Sequence, residues 1–288
     1  MKTLAVLLAF ALGLTAPALA DISRAVELLN QSKFDEAFND LLPTAEGGDA
    51  GAQVLLGTMY LQGKGVPLDY GEAKRWFELA AKSGNAPAQF AMGDLYARGR
   101  GVAENITMAM NWFLKAAHQG HVHAQNNLGF AYIQGTGVPQ DSKEAAKWFQ
   151  RAARQGDANA QFNLGLMHQT GEGLPKDPVR AHMWYSLAAK SGDAEAGLAR
   201  DEMARQLKPD QIKTSGALQA EFKVVREGAP PQVSQTAKPP PAAKSASAGG
   251  ALPAASFNNK APVAKFWRVQ IAQGTAQAEV ALESSKLR

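Results

Sequence analysis

The chain has 288 residues, 45% of them hydrophobic, enough to bury a core in one or two domains. It contains no cysteine, which excludes a disulfide framework and a thiolate metal site. The net charge of +4 is local, because Gly228 to Ala278 holds no Asp or Glu while Lys238, Lys244, Lys260, Lys265 and Arg268 bring +5, so no broad basic face for nucleic acid is implied.

Met1 to Ala20 opens with Lys2, runs apolar from Leu4 to Leu14 and ends in Ala18-Leu-Ala20 before Asp21. This pattern predicts a secretory signal peptide cut after Ala20. The apolar run is shorter than the roughly 20 residues that span a bilayer, so no membrane anchor is expected after cleavage. A mature protein exported to a bacterial periplasm, or secreted, is the expectation.

From Asp49 to Gly192 the chain repeats itself four times with a period of 36 residues and no insertion. The units are 49–84, 85–120, 121–156 and 157–192. Gly57, Gly93, Gly129 and Gly165 share one phase, Trp76, Trp112, Trp148 and Trp184 another, and Gly84, Gly120, Gly156 and Gly192 close the units. Such regularity marks a stacked array in which each unit touches its neighbours. In the third unit, Ala124 to Gln134 reads as a first helix. With a turn of roughly 100° per residue, Ala124, Gln125, Leu128, Gly129, Ala131 and Tyr132 fall on one apolar half and Asn126, Asn127, Phe130, Ile133 and Gln134 on the other. Ser142 to Gln155 reads as a second helix whose Ala145, Trp148, Phe149, Ala152 and Ala153 make a buried stripe. Asp141 is its expected N-cap, and Glu144 completes a capping-box spacing that Asp69 and Glu72 repeat. Gly135 and Gly137 end the first helix, and Gly129 leaves room for the second to approach.

The pattern A-x-x-x-L-G-x-x-Y-x-x-G-x-G-V-x-x-D followed by A-x-x-W-F-x-x-A-A-x-x-G resembles the Sel-one-like repeat (SLR), a relative of the tetratricopeptide repeat. The resemblance implies an all-α fold, a right-handed α/α superhelical solenoid, and protein or peptide binding on a concave face lined by first helices. Departures are local. Ala103 stands for the loop proline, Asn105 for the capping Asp, Met108 and Arg180 for the capping-box Glu, and His168 for the tyrosine of the other units.

Asp21 to Gly48 keeps Ala37 and Gly48 in phase but has Asp40 where Trp would stand, as expected of an N-terminal capping helix pair. After the array, 193–227 reads as C-terminal capping helices, the closing one from Pro209 to Glu227. The Pro, Ala, Ser and Gly-rich stretch 228–264 is expected to be a disordered linker. In 265–288, FWRVQIA reads as a strand and AQAEVALESSKLR as a helix, a short segment resembling the start of an SPOR peptidoglycan-binding module. A segment of that size builds no core alone.

Motifs for chemistry are absent: the G-x-G pairs lack the lysine and strand of a P-loop, and no G-x-S-x-G elbow occurs. His118, His121 and His123 cluster, yet they match helix-end and capping phases of other units, so neither metal nor cofactor is expected. The tryptophans read as core, His168 as core or interface, and the glutamines Gln53, Gln89, Gln125 and Gln161 as a hydrogen-bonding ladder.

A non-catalytic scaffold of the cell envelope is therefore expected, with a peptidoglycan-associated cell-wall factor or hydrolase as the alternative. Some cysteine-rich SLR proteins are linked to β-lactam binding, which leaves a β-lactamase-like activity as the enzymatic variant of that alternative. The expected partner face is the non-repeating arc of the first helices, namely Phe90, Asp94, Arg98, Asn126, Phe130, Gln134, Phe162 and Leu166. Phe90, Phe130 and Phe162 are either anchors for a partner or wedges between neighbouring helices.

Overall fold

The computed structural model describes residues 18–225 and Glu227, with side chains from Ile22 onward. The expected linker and C-terminal segment lie outside the described residues, as do residues 1–17 of the expected signal peptide. Twelve α-helices of 13 residues each occur among the described residues, with no strand. They are α1 (Ala18–Asn30), α2 (Phe34–Glu46), α3 (Ala50–Gln62), α4 (Tyr70–Lys82), α5 (Ala86–Arg98), α6 (Ile106–His118), α7 (Val122–Gln134), α8 (Ser142–Arg154), α9 (Ala158–Thr170), α10 (Pro178–Lys190), α11 (Ala194–Gln206) and α12 (Pro209–Glu221). From α1 to α11 each helix packs on the next, and α12 skips α11 to pack back onto α10. The result is an α/α solenoid of helix pairs.

The repeated residues explain the repeated geometry. Asp141 caps α8 by accepting from the backbone N–H groups of Lys143 and Glu144 at 2.9 and 3.0 Å. The expected capping box is replaced by a tertiary bond. The Asp141 N–H donates to the Tyr132 carbonyl at 2.9 Å, and Glu144 pairs with Lys147 at 2.6 Å instead of reaching back. Asp69, Asn105 and Asp177 donate in the same way to Tyr60, Tyr96 and His168, so the cap N–H pins the loop to the first helix in every unit. Gly135 ends α7 at φ 69°, a conformation costly for any residue with a Cβ.

Second helices are amphipathic as expected, but first helices are buried nearly all round. In α3 the eight residues Ala52 to Met59 are all buried, and in α7 Asn126 and Ile133, expected on the outer half, are buried too. The cause is packing on two flanks: α7 lies between α6 and α8. The core is correspondingly divided among the junctions. One cluster joins Phe90, Phe113 and Leu128 of the second and third units to Trp148, which reaches back from α8. Trp76 and Trp148 are 3% and 5% exposed, whereas Trp112 and Trp184 are half-buried.

At the C-terminal end Ser215 of α12, 1% exposed, is hydrogen bonded through Oγ to His182 Nδ1 of α10 at 2.8 Å. The closing helix stops at Glu221, not at Glu227 as expected. Phe222 takes φ −67° and ψ 124°, and two β-branched residues, Val224 and Val225, follow in a stretch whose backbone finds partners on the solenoid.

Candidate interaction surface

The arc expected to face a partner divides in two. Phe90 is 9% exposed and Phe162 3%, so both act as wedges. Phe90 packs on Phe113 with ring centroids 5.4 Å apart and stacks on His121 at 4.5 Å, and Phe162 packs on Tyr185 at 5.4 Å. Asn126 is wholly buried, at the phase held by Val54, Phe90 and Phe162, and neither of its amide atoms has a hydrogen-bond partner. These three residues are not available to a partner, because the flanking second helices cover their phase. The others keep exposed surface. Arg98 and Asp94 form an ion pair at 2.6 Å, Phe130 and Leu166 are half-buried, and Gln134 is exposed.

A second surface lies where second helices end and first helices begin. Gln53, Gln89, Gln125 and Gln161, all buried, donate through Nε2 to the carbonyls of Ala45, Ala81, Ala117 and Ala153 at 3.0, 3.3, 3.0 and 3.2 Å. These are last-turn carbonyls of the preceding helix, so the amide ladder satisfies helix ends across each junction. A second rung exists in the middle units only, where Gln119 donates to Gln89 Oε1 at 2.7 Å and Gln155 to Gln125 Oε1 at 2.8 Å. Ser83 and Ser191 hold that phase elsewhere, and in the fourth unit Gln161 Oε1 is buried without a hydrogen-bond partner.

Across this ladder edge runs the segment after α12. The Phe222 ring meets Trp184 edge-on at 5.5 Å, Val224 lies beside Gly156, and the Val225 N–H donates to the Arg154 carbonyl at 2.8 Å. The Glu227 N–H donates to Gln155 Oε1 at 3.2 Å, and the Glu227 carboxylate receives Gln125 Nε2 at 3.0 Å and Arg151 Nε and Nη2 at 2.8 and 2.7 Å. The Arg151 guanidinium itself lies over the Trp148 ring at 4.9 Å.

The histidines serve structure. His121 Nδ1 accepts from the Ala124 N–H at 3.3 Å and so caps α7, His118 meets Trp148 edge-on at 5.3 Å, and His123 Nδ1 lies 3.9 Å from Asp157. Among the described residues no group of three or more His, Cys, Asp or Glu is placed to hold a metal ion. His168 is 6% exposed, with Nδ1 3.3 Å from the Pro175 carbonyl, and burial pushes its pKa down. No described helix is long and apolar enough to cross a membrane.

The repeat geometry coincides with a known family. The family model of the Sel1 repeat matches residues 50–85, 86–121, 122–157 and 158–193, half of the chain. The chain belongs to the Sel1 repeat family. A Sel1 repeat protein from Oxalobacter formigenes is similar at 32% identity, with 71% of this chain and 86% of that one covered and a TM-score of 0.61. A protective antigen of uropathogenic Escherichia coli strains, displaying an SLR fold, is similar at 30% identity and a TM-score of 0.63. The match covers 71% of this chain but spans only 46% of the antigen. No curated protein matches the chain. Sel1 repeats generally mediate protein–protein interaction, and Sel1 repeat proteins are generally non-catalytic scaffolds.

Within this Sel1 array the residues that sequence reasoning passed over are Arg151, Gln155 and Glu227. A signal for the first two existed in the repeat alignment: Arg151 stands at the phase of Leu79, Lys115 and Leu187, and Gln155 at the phase of Ser83, Gln119 and Ser191. Glu227 gave none, because its place is set by a backbone that leaves the repeat.

Proposed function

We propose that the protein is a non-catalytic interaction scaffold of the bacterial cell envelope, binding a protein or peptide on the concave face of the first helices. The observation that carries this reading is the accessible remainder of the non-repeating arc. The Asp94–Arg98 pair, Phe130 with Gln134, and Leu166 lie on α5, α7 and α9 of three successive units. The ladder glutamines and most core positions repeat because each unit solves one packing problem, whereas these accessible positions differ across the three units, as a surface fitted to one partner would. A few such residues normally carry most of an interface's energy. The test is capture of partners from envelope extracts by the full chain and by a variant carrying Asp94→Lys, Phe130→Ser and Leu166→Ser. Loss of partners from a folded variant is expected, and retained partners would remove this face. Export rests on the pattern of Met1 to Ala20, and mass spectrometry of the periplasmic fraction should find a mature chain beginning at Asp21. The strand-like FWRVQIA favours a second reading, attachment to peptidoglycan through residues 265–288. Sedimentation with purified peptidoglycan, full chain against one ending at Glu227, decides it.

A further inference from the structure

The ladder edge of the third unit is built as a receptor for polypeptide. Gln155 Nε2 is committed to two acceptors, the Gly120 carbonyl at 3.0 Å and Gln125 Oε1 at 2.8 Å, which turns its Oε1 outward as an acceptor. The Arg154 carbonyl, at the open end of α8, is a second outward acceptor. A chain that presents backbone N–H groups two residues apart, as the alternation of an extended segment does, satisfies both at once. Val225 and Glu227 do so. Beside them, Gln125 Nε2 and the Arg151 fork converge on one carboxylate oxygen, a charge-assisted arrangement held in place by Trp148. Backbone approach is close here: a Cβ on Gly120 would stand 2.5 Å from the Glu227 carbonyl oxygen.

The occupant, by contrast, is anchored mainly at Glu227 and packs loosely before it. Val224 and Val225 are each 57% exposed, and between α12 and Glu227 the segment has a half-buried ring contact and two backbone bonds. A preorganised receptor carrying a loosely packed ligand from its own chain is the design of a displaceable strap. We infer that the third-unit ladder edge binds an extended peptide bearing an acidic side chain, and that Phe222 to Val225 together with Glu227 occupy it in cis and compete with such a peptide. The site uses none of the residues of the proposed partner face, so its variants test it separately from the proposed function.

The test uses the full chain and an N-acetylated peptide of the sequence of residues 222–227, labelled for fluorescence anisotropy. A strap-released chain carries Val225→Pro, which removes the N–H bonded to Arg154, and Glu227→Lys, which repels Arg151. Since occupancy in cis reduces apparent affinity by the fraction of open sites, the released chain is expected to bind the peptide at least about tenfold more tightly than the native chain. Glu227→Ala alone should move affinity in the same direction by less. Adding Arg151→Glu to the released chain should abolish binding, as should replacing the peptide's glutamate by glutamine. Equal affinity of native and released chains, no binding to a released chain whose melting curve remains cooperative, or binding that survives Arg151→Glu would each overturn the inference.

Discussion

The Phe149 ring lies against the Cα of Gly129, so close that a Cβ there would sit 2.6 Å from two ring carbons. The same pairing recurs in Gly57 with Phe77 and Gly93 with Phe113, and in Gly165 with Tyr185, whose hydroxyl donates to Gln169 at 2.6 Å. This contact sets the distance between the two helices of every unit. Gly129→Ala should therefore destabilise the protein by about 1–3 kcal/mol through overpacking, measured by urea unfolding. Combining it with Phe149→Leu should recover part of the loss, and an unchanged midpoint for the single variant would show that the helices can part without cost.

Asn126 offers the opposite opportunity. A wholly buried amide with neither atom bonded costs free energy that a hydrocarbon of similar size does not. Asn126→Val, the residue at the same phase in the first unit, should stabilise the array by about 1 kcal/mol. A lower melting temperature would mean that the amide has a partner, such as a buried water.

Trp148 bridges the second and third units and supports Arg151. Trp148→Ala should cost about 3–5 kcal/mol, as for other large buried aromatics, and should broaden unfolding as adjacent units lose their coupling. Loss of binding with stability intact would instead assign the indole to a ligand site.

Acid should loosen the C-terminal cap first. His182, which holds Ser215 of α12, has its pKa lowered by burial and further by Arg200, and burial also lowers that of His168. Both favour the neutral ring in the folded state. Their contribution is complete above the unfolded value of 6.5 and is lost as the pH falls through the lower folded values. Glu78 acts later. Lys74 and Lys82 hold its pKa at about 2, against 4.5 unfolded, so its contribution fades between those values and is small because the pair is partly exposed. Hydrogen exchange at pH 7.5 and 5.5 should show α12 losing protection before α3 to α10, and His182→Gln should flatten that dependence.

Much of the fold was legible in the residues themselves. A period kept without insertion fixes which residues meet, since each unit touches only its neighbours, and the glycine, tryptophan and aspartate phases state the close approach, the junction and the cap directly. The glutamine ladder was legible for the same reason: a polar residue repeated at a buried phase must have a repeated partner. Burial of Asn126 was not, and the wedge role of Phe90 and Phe162 stayed one of two open readings, because helical periodicity describes one helix against one neighbour, and first helices have one on each flank. The cap N–H bonds of Asp69, Asn105, Asp141 and Asp177 were hidden too, since their acceptors lie nine residues away across a loop. Least legible was Glu227, whose partners stand 72 to 102 positions earlier in the chain. Local pattern cannot bring such residues together. Only the path of the backbone after α12 does, which turns back along the solenoid and places a carboxylate on Arg151.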